Sequence, residues 1–469
     1  MPFWNRRKQI DSLTAGAARN ALRPTLSWVH LIGLGVGGIV GTGIYTLTGV
    51  GAGLAGPGVI LSFVIAGIVC ACAALAYAEM ATMMPVAGSA YTYSYVVLGE
   101  LLAWIVGWSL ILEYTVVCSV VAVGWSGYAG GMIHSLGWNV PDALLAGPYA
   151  GGVINVPAIV ISLAVAGLLA LGTRESATVN LVLVFVKLIA LGMFIALAVP
   201  AFNAQNFHPF MPYGFGATEV DGVKYGVIAA ASIIFFAFYG FDAVSTAAEE
   251  TLNPARDLKI GIVGSMLICT LLYMVVATAA LGGASYKDLA ASAEPLAMVL
   301  RGLGRPMAAT LIAGAAVLAL PTVIMAFMYG QSRIFFVMAR DGLLPQRLSA
   351  ISPRTGSPIF MTMVTGVIVA TIAGFLPIST IAALANAGTL CAFVAVAVCM
   401  LVLRVQAPQR PRTFRTPLAW PVGIITILGC LYLFVSLRSL TILWFFFWNA
   451  LGIAVYLLFA RHRSLLAQQ

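Results

Sequence analysis

Three ionisable side chains stand alone inside long apolar runs. Lys187 interrupts the run 181–191, far from the end of that run near Val199. An ammonium near the bilayer centre costs about 2.5 to 3.5 kcal/mol on insertion scales, so this lysine must face other protein. An amine held away from water becomes a group that can release and retake a proton, and its charge can take the place of a metal cation. The alternative is a permanent structural ion pair. Glu113, within Trp108-Ser109-Leu110-Ile111-Leu112-Glu113-Tyr114, is the partner of a buried cation, part of a side-chain pocket, or a protonated neutral acid. Asp242 follows Phe238-Tyr239-Gly240-Phe241. It suits a cap on a following helix, and equally the recognition of a cationic side chain or the carriage of a proton.

Two interruptions lie at similar depths in separate apolar runs, at Gly41-Thr42-Gly43 and at Ala237-Phe238-Tyr239-Gly240. In hydrocarbon an unpaired backbone group costs several kcal/mol, so unwound chain survives only when buried in protein or lining a polar cavity. Paired breaks of this kind mark a midplane binding site in transporters built from inverted repeats. At the first, the N–H groups of Thr42, Gly43 and Ile44 would form a positive half-helix end suited to a carboxylate. At the second, the carbonyls of Phe236, Ala237 and Tyr239 would face the cavity and suit an ammonium. Together they complement an α-amino acid. The competing reading of the triplet is close helix packing, the role that suits Gly33, Gly35, Gly37 and Gly38. A dinucleotide site is excluded because no βαβ unit follows the glycines.

The elements that must hold these groups are membrane helices. Over 469 residues the hydrophobic fraction is 61% and the charged fraction 8%, an integral membrane composition. A helix needs about 20 apolar residues to cross roughly 30 Å. Twelve segments qualify: 28–50, 58–84, 97–130, 157–173, 177–199, 225–248, 259–283, 307–337, 359–376, 381–404, 418–437 and 440–460. The fold class is therefore an all-α integral membrane protein with 12 transmembrane helices. Segments one to five and six to ten form a five-plus-five repeat. Five is odd, so the second set enters from the opposite side, and two C-terminal helices are appended. The expected organisation is an N-terminal segment 1–27, a ten-helix core 28–404, helices 11 and 12 within 405–460, and a tail 461–469.

Of the 24 lysines and arginines, 18 fall on the side of the N-terminus and 5 on the other, with Lys187 within a span. The positive-inside rule places both termini in the cytoplasm. The net charge of +9 is thus topogenic and does not indicate nucleic-acid binding. No signal peptide is expected from the first 25 residues. All seven cysteines lie in apolar segments and the four histidines are scattered, so neither a metal site, a cofactor nor a disulfide framework is expected. Glu79, Glu249 and Glu250 sit at segment ends as gate or solvated charges. Residues 84–91 suit either a short helical connector at the cytoplasmic mouth or a plain loop. Trp444, Phe445, Phe446, Phe447 and Trp448 suit a lipid-facing belt. The absence of a clustered catalytic set and of an aqueous domain argues against an enzyme.

The stretches "AGSAYTYSYVVLGELLAWIVGWSLILEY" (87–114), "AEETLNPARDLKIGIV" (248–263) and "ARDGLLP" (339–345), with "GTGIY" and "FFAFYGFDAVSTAAEE" at the breaks, resemble one family over nearly the whole chain. It is the amino acid, polyamine and organocation (APC) superfamily, in its bacterial cationic amino acid transporter branch. The resemblance implies an inverted-repeat, leucine-transporter-like fold and alternating access in a bacterial plasma membrane. It implies Thr42 and Gly43 for the substrate carboxylate, Ile39 with Phe236, Ala237 and Tyr239 for the amine, and the Phe236 ring as a lid. Lys187 matches the lysine that fills the sodium position in proton-coupled members. The expectation is a proton symporter of amino acids, cationic ones first, with Glu113 and Asp242 as side-chain pocket candidates. The alternatives are a neutral amino acid carrier, an amino acid/amine exchanger, or a non-transporting sensor. Animal relatives of this branch usually have fourteen helices where this chain has twelve, and Ala87 stands where the branch often has serine.

Overall fold

The computed structural model describes residues 6–9, 22–135, 140–148, 151–220, 223–292, 294–376, 378–437 and 439–467. Much of segment 1–27, the end of segment 461–469 and Arg438 lie outside them. The chain is helical nearly throughout. In order the helices are α1 (Trp28–Ile39), α2 (Thr42–Tyr45), α3 (Leu47–Ala55), α4 (Val59–Met83), α5 (Ser89–Val97), α6 (Glu100–Ser135), α7 (Val156–Leu171), α8 (Thr173–Ala198) and α9 (Val227–Ile234). They continue with α10 (Phe241–Thr246), α11 (Pro254–Gly283), α12 (Tyr286–Ala291), α13 (Pro295–Gly302), α14 (Pro306–Arg340), α15 (Ile359–Phe375), α16 (Ile378–Gln406), α17 (Ala419–Val435) and α18 (Ser439–Val455). A short hairpin, β1 (Thr218–Val220) with β2 (Val223–Tyr225), sits in the long connection before α9.

Local chemistry sets many boundaries. Pro254, Pro295 and Pro306 open helices where their missing N–H is harmless, and Asn155 caps α7 by accepting from Ala158 N–H at 3.1 Å. Gly88, at φ +109°, takes the left-handed turn that starts α5. Residues 84–91 therefore lead into a helical connector, and every residue of α5 is buried.

Among the described residues, eight helical stretches are long and apolar enough to cross a membrane, and α1, α7, α15 and α17 are shorter apolar helices. The predicted segment 28–50 is longer and more divided than expected: it breaks after α1, and α3 continues to Ala55 before a turn at Gly56–Gly58. The broken pieces sit in a jacket of whole helices. α14 packs along α6, α8 and α1, while α11 packs against α4 and α1. At the periphery α17 leans on α16 and α4, and α18 on α6 and α16.

α8 shows how a segment chooses its inward face. Asn180, Val184, Lys187 and Leu191 recur at helical spacing and are buried, whereas Val182, Phe185 and Ile189 are exposed. These three outward residues are apolar, as a lipid-facing surface requires. The one lysine is thereby turned into the protein.

Candidate functional site at the two broken helices

The first break opens where α1 ends. Val40 leaves the helix at φ −77°, ψ 97° and Gly41 is extended at φ −152°, ψ −138°. The interruption is centred on Val40 and Gly41, at the leading edge of the predicted triplet. α2 then begins at Thr42, whose N–H and that of Gly43 have no preceding turn to donate to. The third predicted donor is committed: Ile44 N–H donates to the Gly41 carbonyl at 3.2 Å.

The carbonyls released at the end of α1 are met by Lys187. Its Nζ donates to Gly37 O at 3.0 Å, Val40 O at 2.7 Å and Thr322 Oγ1 at 2.8 Å. All three hydrogens of an ammonium are used, and the side chain is fully buried. The single hydroxyl hydrogen of Thr322, on α14, has Ala319 O at 2.6 Å and Gly37 O at 3.0 Å as acceptors. The cation sits at the negative end of the α1 dipole, surrounded by neutral oxygens. Charge-assisted hydrogen bonds contribute about 1.5 to 3 kcal/mol each, enough to offset the cost of placing the ion at this depth. No ion pair among the described residues includes it. The permanent ion-pair reading of Lys187 has no counterpart there.

The second break follows α9. A 3-10 turn, Phe235–Phe238, leads to Tyr239 in extended backbone and Gly240 at φ +119° before α10 starts. The two breaks touch. A Cβ on Gly43 would lie 2.5 Å from Ala237 Cα, and one on Gly240 would lie 2.5 Å from the Gly38 carbonyl carbon. Glycine is required at both positions because backbone meets backbone.

Between them lies a small, nearly filled cleft, lined by Gly38, Ile39, Gly41, Thr42 and Gly43 on one side and by Val117, Phe236, Tyr239, Val323 and Phe327 on the other. One end is backbone and the other is hydrocarbon and ring. Of the predicted residues, Ile39, Thr42, Gly43, Phe236 and Tyr239 meet at this cavity. Ala237 abuts it through Gly43.

Sequence reasoning missed Tyr273 of α11. Its hydroxyl lies 2.6 Å from Ile39 O and 2.9 Å from Ala237 O, bridging the carbonyls of the two breaks. Each carbonyl keeps a second lone pair for a ligand. A lone tyrosine in the apolar stretch 266–281 was the available signal. Asn386, which accepts from Tyr239 Oη at 2.5 Å, and Thr322 were missed as well. Thr322 follows Pro321 inside α14, and a proline-threonine pair in a membrane helix was a readable mark.

Glu113 and Asp242 do not line the cavity. Asp242 sits in the first turn of α10, where Oδ1 accepts from Gly240 N–H at 3.2 Å and Oδ2 from the Tyr114 hydroxyl. Gly240 holds the N-cap position, so Asp242 does not cap the helix itself but takes up the Gly240 N–H from within the first turn. Glu113 accepts from Thr389 Oγ1 through Oε1 and has a buried Oε2 without a protein partner.

The acids at the segment ends differ from one of their expected forms. Glu79, Glu249 and Glu250 are not solvated. Glu250 pairs with Arg333, both about 1% exposed, Glu249 with Arg340, and Glu79 with Arg404 and Arg412. The 444–448 belt is divided: Trp444, Phe446 and Phe447 face outward, while Trp448 stacks on Trp108 at 4.9 Å.

A bundle of apolar helices, two of them broken against each other around a small cleft with a buried cation beside it, defines a membrane carrier. Comparison with known proteins supplies the family: residues 26–459 match the amino acid permease family, and the chain belongs to it, within the APC superfamily. Its members are transporters and not enzymes. The chain is 43% identical over 468 residues to a branched-chain amino acid permease of Bacillus subtilis, covering 99% of both. It is 40% identical over 464 residues to a methylthioribose transporter of the same organism, covering 98% of both. It is 37% identical over 415 residues to the vacuolar cationic amino acid transporter 4 of Arabidopsis thaliana, covering 86% of this chain and 67% of the relative.

Proposed function

We propose that this protein is a proton-coupled symporter of α-amino acids with compact apolar side chains, working by alternating access. The observation that carries this reading is the cavity lining. Free amides at Thr42 and Gly43 suit the carboxylate, the carbonyls of Ile39, Phe236, Ala237 and Tyr239 suit the ammonium, and Val117, Val323 and Phe327 suit a branched aliphatic chain. The similarity to a branched-chain permease supports the same choice. Proton coupling is supported by Lys187, a removable positive charge at the end of α1 where a metal cation would otherwise satisfy Gly37 O and Val40 O. In this reading the twelve helical segments all span the bacterial plasma membrane, 28–404 is a five-plus-five core, helices within 405–460 are appended, and both termini are cytoplasmic.

The second reading is a cationic substrate, favoured by the plant relatives. It requires the side chain to reach Glu113, whose free Oε2 is an unused acceptor. The test is uptake of labelled leucine into proteoliposomes under an acid-outside gradient, with leucine, valine, arginine, lysine and methylthioribose as competitors. Leucine and valine should compete most strongly. Stronger competition by arginine and lysine selects the cationic reading, and dominance of methylthioribose rejects both.

A further inference from the structure

A second cavity lies along α1 from the substrate cavity, nearer the start of that helix. Its walls are mainly apolar, with Leu34, Leu169 and Met325, and its polar residues are His30, Ser176, Asn180 and Tyr329. It shares no lining residue with the cavity at the breaks. The space within it that is open to water is about 20 Å3, enough for one ordered water.

Asn180 connects this cavity to Lys187. The two residues are seven apart on the buried face of α8, two turns and roughly 10.5 Å along the axis. Both bind the same strip of α1: Asn180 Nδ2 donates to Gly33 O at 2.8 Å, and Lys187 Nζ to Gly37 O at 3.0 Å. Asn180 Oδ1 lies 2.7 Å from where a Cβ on Gly37 would stand, beside the residue whose carbonyl holds the ammonium. That oxygen is buried and has no protein partner, and Asn180 is 2% exposed. A buried acceptor left unsatisfied costs about 1 to 3 kcal/mol, and water in the adjoining cavity removes the cost.

We propose that this cavity is the route by which Lys187 exchanges its proton with the side of the membrane bearing the N-terminus, separate from the substrate's path. The proposal rests on the coupling role given to Lys187. In the step, one ammonium N–H bond breaks and its electron pair stays on Nζ. The proton passes to a water held by Asn180 Oδ1 and leaves past Ser176 and His30 to bulk solvent. His30 Nδ1 lies 2.9 Å from Ser27 Oγ, at the start of α1.

The charged surroundings permit this. Cys269 of α11 is the titratable neighbour of Lys187, and Thr322 of α14 is neutral. On the cavity side the Tyr329 hydroxyl donates to Glu250, and the Arg333 guanidinium, paired with Glu250, stacks over the Tyr329 ring at 3.7 Å. The Tyr329, Glu250 and Arg333 group thus carries no net charge of its own.

The test uses the full-length protein in proteoliposomes with labelled leucine and two readouts: accumulation driven by an acid-outside gradient, and leucine counterflow at equal pH, which needs no net proton movement. Asn180→Leu should cut gradient-driven accumulation roughly tenfold while counterflow stays within about twofold, and Asn180→Ser, which keeps a water-binding oxygen, should restore most of the loss. Full accumulation by Asn180→Leu overturns the route. So does an equal fall in both readouts that Asn180→Ser leaves unrepaired, because that marks a packing role. Lys187→Met run in parallel separates the two claims. If it retains accumulation, the coupling role of Lys187 fails. If it loses accumulation while Asn180→Leu does not, only the route fails.

Discussion

Lys187 and Arg333 are both buried cations, and they are held in opposite ways. Lys187 rests on two carbonyls and a hydroxyl, with no carboxylate paired to it among the described residues. Arg333 is clamped by both oxygens of Glu250 at 2.9 Å. A cation on neutral dipoles can lose its proton and leave behind only carbonyls that water or another donor can satisfy. A guanidinium on a carboxylate cannot be neutralised in proteins, and removing either partner strands a buried charge. The Lys187 site therefore holds its cation without any carboxylate that loss of the proton would strand. The layer of Glu250–Arg333, Glu249–Arg340 and Glu79–Arg404–Arg412 is built to keep its charges and to break only by movement.

The sharpest way to break this contrast is Lys187→Met. It should leave the protein folded and abolish gradient-driven accumulation, while exchanging external sodium for choline should leave wild-type uptake unchanged. Accumulation by the variant, or a strict sodium requirement, would show that the lysine is only structural.

The next effect in size concerns the contact between the breaks. Gly43→Val places a side chain 2.5 Å from Ala237 Cα, where backbone has no room to yield. Stabilisation of the purified protein against heat by leucine should disappear, and a preserved ligand-induced shift would refute the close approach.

At the charged layer the readout is stability. Arg333→Gln strands Glu250 and should cost about 3 to 5 kcal/mol, seen as a lowered Tm. The double variant Glu250→Leu, Arg333→Met should recover much of that loss. If the single and double variants melt alike, the pair is not the clamp described.

The smallest effect is expected for Tyr273→Phe. Losing one hydroxyl that bridges Ile39 O and Ala237 O removes about 1 kcal/mol of net hydrogen bonding, and should raise KM severalfold with kcat little changed. A large loss of Tm instead would make Tyr273 a structural tie and no part of the site.

Legibility in the sequence followed the physics of hydrocarbon. The breaks were readable at Gly41 and at Tyr239-Gly240 because glycine and polar interruptions in apolar runs are conspicuous. Lys187 was readable because an isolated ammonium there has few permitted surroundings. Tyr273, Thr322, Asn180 and Asn386 were not, since tyrosine, threonine and asparagine in a membrane helix satisfy themselves in many ways. The reach of Glu113 and Asp242 was equally hidden, because which face of α6 or α10 meets the cavity depends on how neighbouring helices pack.

The sequence alone determined a membrane bundle with two interrupted helices, a cation that must face inward and a family of amino acid carriers. The bundle, its breaks and the inward cation follow from transfer free energies and backbone hydrogen bonding, which act residue by residue, while the family came from the resemblance of longer stretches. Only the tertiary structure decided that Lys187 closes the end of α1, that Gly38 meets Gly240, and that the cavity walls are Val117, Val323 and Phe327. These are contacts between segments tens to hundreds of residues apart, and no local pattern carries the register that brings them together.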